Sequence, residues 1–135
     1  PALFEKLPVF WAFAERRPEF PRFYKQMIAL RRGSNGLRRG SLEWLHNSDE
    51  TRVVSYLRRT PDEEVLVVIN LSSRPFVGSI EAQAQPGFTD VTPDVGQPLP
   101  PDVFNPERTA RDRTVGLPVV ALDAWGYRIF RRNLK

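Results

Sequence analysis

The sequence predicts an antiparallel β-sandwich of the Greek-key type, about 6–8 strands preceded by one amphipathic α-helix. Three observations predict it. Helical apolar periodicity is confined to one segment near the N-terminus. The remainder holds short alternating runs separated by turn residues, and one of those runs is apolar at every position.

Residues 1–19 read as irregular and apolar-aromatic, with Leu3, Phe4, Leu7, Val9, Phe10, Trp11 and Phe13 between prolines 1, 8 and 18. So many large apolar groups point to a segment that lies against a core or a partner. In residues 20–32, Phe20, Phe23, Tyr24, Met27 and Ile28 recur at i, i+3, i+4, i+7 and i+8, the spacing of one helix face. Pro21 suits a first turn, and Gly33-Ser34-Asn35-Gly36 reads as the helix stop.

After Gly36 the pattern becomes that of strands. Residues 40–45 and 52–58 alternate, with turn residues at 47–50 and 60–63. Residues 65–71 are apolar on both sides, as in a central strand covered on both faces. Residues 76–80 form a fourth strand, and Phe88–Val91 a short one. The five prolines between 93 and 106 keep that run out of a sheet, and Glu107–Arg113 reads as an exposed loop. Strands at 116–122 and 127–131 close the chain as a hairpin.

Composition narrows the function classes. The 135 residues suffice for one core, and no apolar stretch approaches the roughly 18 residues of a membrane span. The chain has no cysteine and one histidine, His46, so disulfides, thiolate nucleophiles and multi-histidine metal centres are excluded and no cofactor is expected. The first residues lack the plan of a signal peptide and a starting Met, which reads as a piece with something upstream; neither compartment is favoured. The net charge of +4 resides in scattered pairs such as Arg16-Arg17 and Arg58-Arg59, with acids interspersed. A phosphate-tracking face gathers its cations on one element, so neither nucleic acid nor membrane is an expected partner.

Four segments in order carry a resemblance: Phe23–Arg32 followed by Leu37-Arg38-Arg39-Gly40, Val53–Arg58, Glu63–Ser72, and Leu117–Val119 through Tyr127–Phe130. They resemble the last barrel helix and the C-terminal β-sandwich of the α-amylase family, glycoside hydrolase family 13. Pro8-Val9-Phe10-Trp11 is similar to that family's loop after the last barrel strand. The resemblance implies that residues 1–36 are a remnant of the catalytic barrel and residues 37–135 the C-terminal domain. It also implies a parent acting on α-glucans, with the missing barrel as this chain's partner. The family's nucleophile Asp, acid Glu and third Asp would then lie upstream of residue 1, and no catalytic residue is expected here.

The residues themselves agree. A retaining glycosidase needs two opposed carboxyl groups roughly 5–5.5 Å apart. Asp49-Glu50 and Asp62-Glu63-Glu64 fall in predicted turns, where acids point to water, and His46 beside a turn reads as a surface side chain. The remaining alternative is a starch- or oligosaccharide-binding module, which presents exposed rings to sugar faces. Trp44 shares strand parity with Leu42, and Tyr56 with Val54, so both read as buried. Trp125, at a hairpin tip before Gly126, and Trp11 are the candidates for carbohydrate contact. The helix stripe is expected either to dock on the sandwich or to drive self-association.

Overall fold

The computed structural model describes residues 11–83, 87–93 and 119–135, and of Phe13 the backbone only. Three helices come first: α1 (Ala12–Arg16), α2 (Glu19–Gly33) and α3 (Asn35–Arg39). Seven strands follow among the described residues: β1 (Ser41–Trp44), β2 (Val53–Arg59), β3 (Glu63–Asn70), β4 (Phe76–Ser79), β5 (Thr89–Asp90), β6 (Val119–Leu122) and β7 (Tyr127–Asn133). All pairings are antiparallel, in one sheet ordered β1-β2-β3-β7-β5 and a second made of β4 and β6. The mostly-β sandwich expected from the strand pattern is the fold.

β3 is the axis of the molecule. Every residue from Glu63 to Val68 is buried, because its two faces meet different layers. Leu66 and Val68 point between the sheets, where they join Val53, Leu57, Phe76, Ile80, Val120, Leu122 and Phe130. Val65 and Val67 point the other way, toward Ile129, Met27, Leu30 and Leu37. Each large side chain so buried is worth roughly 1.5–3 kcal/mol over its exposed state. An all-apolar strand needs this double cover, as its composition predicts.

Three expectations are corrected. Residues 12–16 are helical rather than irregular, and residues 35–39 form a helical turn before the strands begin. Gly33 and Ser34 end α2, but Ser34 Oγ then accepts from the Leu37 amide at 3.1 Å as the N-cap of α3. Strands β6 and β7 do not form a hairpin: β6 pairs with β4, and β7 lies between β3 and β5. The tight turn Asp123–Gly126 therefore carries the chain from one sheet to the other. Its third residue, Trp125, has φ 58°, as a type II turn requires. Asn70 pins the turn by donating from Nδ2 to the carbonyls of Asp123 at 3.0 Å and Arg74 at 2.7 Å. The Pro-rich run 94–106 and the loop 107–113 lie outside the described residues, as do residues 1–10.

The junction between helices and sheet is built on Glu63. Its Oε2 accepts from Ser34 Oγ at 3.0 Å and from the Gly36 amide at 2.6 Å, while Arg131 stands 3.6 Å from Oε1. Gly40 lets α3 close down on β2: a Cβ there would sit 2.5 Å from the Gly36 carbonyl oxygen and 2.9 Å from the Arg59 amide. Replacing Glu63 with Ala leaves two buried donors without an acceptor, at a cost of about 1–3 kcal/mol. Urea unfolding measures the loss, and amide exchange at Gly36 and Leu37 should rise ahead of exchange in β3.

Candidate docking surface

Directly opposed residues of an antiparallel pair share a face, so the register sorts the five-stranded sheet. Trp44 opposes Tyr56, Tyr56 opposes Val67, and Val67 opposes Ile129. These residues lie on the side away from the second sheet. α2 covers part of this face with Phe23, Met27 and Leu30, and the Phe23 and Tyr127 rings meet edge to face at 6.3 Å.

The helix is apolar on more than this side. Phe20, Tyr24 and Ile28, at i, i+4 and i+8, form a second ridge that is 52%, 63% and 51% exposed, with Tyr24 and Ile28 also bordering the space between helix and sheet. The spacing puts all five aromatic and aliphatic residues on one stripe; in the structure its inner residues meet the sheet and its outer ones are left half exposed. The expected docking of the helix on the sandwich is thus made by the inner half of the stripe.

Between α2 and the sheet runs a cavity of about 580 Å³. Phe23, Tyr24, Met27, Ile28, Leu30 and Leu37 form its helical wall, and Tyr56, Val67, Tyr127 and Ile129 its floor. Arg31 and Arg58 also line it. Arg31 Nη1 donates to the Leu37 carbonyl at 2.7 Å and Arg58 Nε to that of Gly36 at 3.4 Å. Burial pushes the Tyr56 phenol above its ordinary range.

Trp44 corrects an expectation. It shares the face of Leu42, as its parity predicts, but that face has no cover at the edge strand, and Trp44 is 66% exposed. It keeps an edge-to-face contact with Tyr56 at 5.6 Å. Tyr56 itself is half-buried, at the border of the helix-covered core. The two carbohydrate candidates are both on the surface, Trp11 at 76% exposed and Trp125 at 66%. Trp11 precedes α1, and Trp125 sits in the turn between sheets, its amide donating to the Ser72 carbonyl at 2.9 Å.

The carboxylates are distributed differently from the expectation. Asp62 is at the surface beside Lys135, 2.5 Å from its Nζ. Glu63 and Glu64 belong to β3 and are buried, not in a turn. Glu64 accepts from Arg132 Nε at 2.6 Å and lies 2.5 Å from Arg59 Nε. In the other acidic pair, Asp49 accepts from Arg52 and Thr51, which hold its carboxyl below the usual range. Among the described residues no three His, Asp or Glu side chains gather as a metal site, and no helix is long and apolar enough to cross a membrane.

His46 is on the surface, as expected, 2.7 Å from Glu50 Oε1. That hydrogen bond first, then the charges of Glu50 and Glu81, raises its pKa above the ordinary imidazole value of 6.5. A raised folded pKa means that the pair stabilises the fold below the unfolded imidazole value and loses this effect as pH rises through the folded value. An NMR titration should find the His46 midpoint above 6.5, and Glu50→Gln should bring it down.

No protein-family model matches the chain. Solved structures do resemble it. An isomaltulose synthase from Erwinia rhapontici NX5 superposes with a TM-score of 0.56 at 19% identity, over 80% of this chain and 17% of the synthase. A trehalose-6-phosphate hydrolase from Bacillus licheniformis gives 0.55 at 16% identity, again over 80% and 17%. A trehalulose synthase variant gives 0.52 at 19%, over 82% and 17%. All three are α-amylase-family enzymes. The chain has the fold of a part of such an enzyme. It spans only 17% of their length, and at these identities the likeness is one of fold.

Proposed function

We propose that the chain is the non-catalytic C-terminal β-sandwich of an α-amylase-type glycoside hydrolase acting on α-glucans. In this reading residues 1–36 are the loop and last helix of the catalytic barrel, and residues 37–135 are the domain that packs against it. The observation that carries the reading is the division of α2. Phe23, Met27 and Leu30 face the sheet, while Phe20, Tyr24 and Ile28 are left more than half exposed, Tyr24 and Ile28 at the border of the cavity. A helix with apolar residues on two sides belongs between two layers, and the sandwich supplies only one. Such a helix suits the seam between barrel and sandwich. The described carboxylates support a supporting role, since Glu63 and Glu64 are engaged in holding the fold. The purified chain should therefore release no sugar from maltooligosaccharides, sucrose or nitrophenyl α-glucoside. Turnover that survives repurification and tracks with this chain would overturn the reading.

A second reading, contact with oligosaccharide, is favoured by Trp125. The residue is 66% exposed, on a turn whose backbone is pinned by the Trp125–Ser72 and Gly126–Asp123 hydrogen bonds. Intrinsic fluorescence on adding a maltooligosaccharide, compared between the chain and Trp125→Phe, decides it. A saturable change confined to the unaltered chain supports sugar contact; no change up to millimolar sugar removes it.

A further inference from the structure

The cavity between α2 and the sheet has a chemical bias that names its occupant more closely. Its walls are apolar and aromatic, its two charged lining groups are the guanidiniums of Arg31 and Arg58, and none of its lining residues is acidic. A guanidinium carries five N–H donors. Each of these two has one hydrogen bond, to the carbonyl of Leu37 or of Gly36. Glu63, which accepts from the Gly36 amide, is already engaged by Ser34, Gly36 and Arg131. A volume of about 580 Å³ with an apolar lining and few polar groups is of the size that takes a small hydrophobic body.

We propose that this cavity seats an apolar side chain flanked by a carboxylate, supplied by the catalytic part of the parent chain. The apolar group lies between Met27 and Tyr56, and the carboxylate meets Arg31 and Arg58 at the rim. The proposal rests on the reading of the chain as a C-terminal domain and adds the chemistry of the surface it receives. Charge complementarity selects this occupant. A neutral apolar plug would leave both guanidiniums without a counter-ion, and a basic one would be repelled.

The test uses the chain itself and three probes of one shape: phenylbutyrate, phenylbutanol and phenylbutylamine. Met27 is the only methionine, so its methyl resonance reports the cavity alone. Phenylbutyrate should shift that resonance saturably and bind at least about tenfold more tightly than phenylbutylamine, the effect of a charge-assisted hydrogen bond. The preference should fall as salt is raised, and the double variant Arg31→Met, Arg58→Met should lose it. Equal affinity for the anion and the amine overturns the proposal, as does a silent Met27 methyl. So does a Met27 shift that grows with chain concentration in the absence of probe, which would seat a second copy there. The salt dependence is read on the unaltered chain, so the result does not hinge on the variant's folding. Failure here leaves the sugar-release assay unaffected, so the two readings fall separately.

Discussion

Replacing Arg132 with Met should lower the unfolding free energy by about 3–5 kcal/mol, since it removes one partner of a buried ion pair. Glu64 and Arg132 are 4% and 3% exposed at their side chains and stand side by side across β3 and β7. The guanidinium also donates from Nη1 to the Gln83 carbonyl at 2.7 Å and lies 4.1 Å from the centre of the Phe88 ring. One substitution therefore strips a carboxylate, a carbonyl and an aromatic face of their shared partner. Arg59 remains beside Glu64, but its side chain is half in water and replaces little of the lost contact. The double variant Glu64→Leu, Arg132→Met should recover much of the loss, because it removes the stranded charge along with its partner. Urea unfolding of the three proteins gives the comparison. A loss below about 1 kcal/mol for Arg132→Met would mean that water reaches Glu64.

Phe130→Ala should cost about 3–5 kcal/mol, the range for an aromatic ring lost from a core that cannot collapse around the gap. Phe130 has no exposed surface and opposes Leu66 in the register. It packs with Phe76, Val120 and Leu122 of the second sheet, so its ring joins the two layers. Val77, on the same second sheet but 74% exposed, is the internal control. Val77→Ala should fall within about 0.5 kcal/mol of the unaltered chain. A comparable loss at both positions would indicate that the second sheet is not packed as described.

The sandwich was legible because β3 advertises itself: a run apolar at every position requires two covering layers, and they are present. The helix was equally plain from Phe20 to Ile28. What sequence could not divide was that helix's stripe, because periodicity shows where side chains point and not how wide the covering surface is. Trp44 was misplaced for the same reason: its parity is right, but at an edge strand the cover has run out. The acidic run 62–64 looks like a turn, although Glu64 shares parity with Leu66 and Glu63 with Val65. Extending the strand by two residues would have buried both, and their partners Ser34 and Arg132 lie too far away in sequence to signal it. The false hairpin at Asp123–Gly126 arose because a tight turn looks alike whether it joins neighbours or crosses between sheets. The cation-rimmed cavity had no sequence signal, since Arg31 and Arg58 meet only through the fold.

The reading frame upstream of the codon for Pro1 decides whether this chain is a piece of an α-amylase-type glycoside hydrolase. If the chain is the C-terminal domain proposed above, that frame continues through alternating strands and helices of a barrel, with an Asp, a Glu and a second Asp at strand ends. An upstream frame that is closed, or open but without those strands and carboxylates, would contradict that proposal.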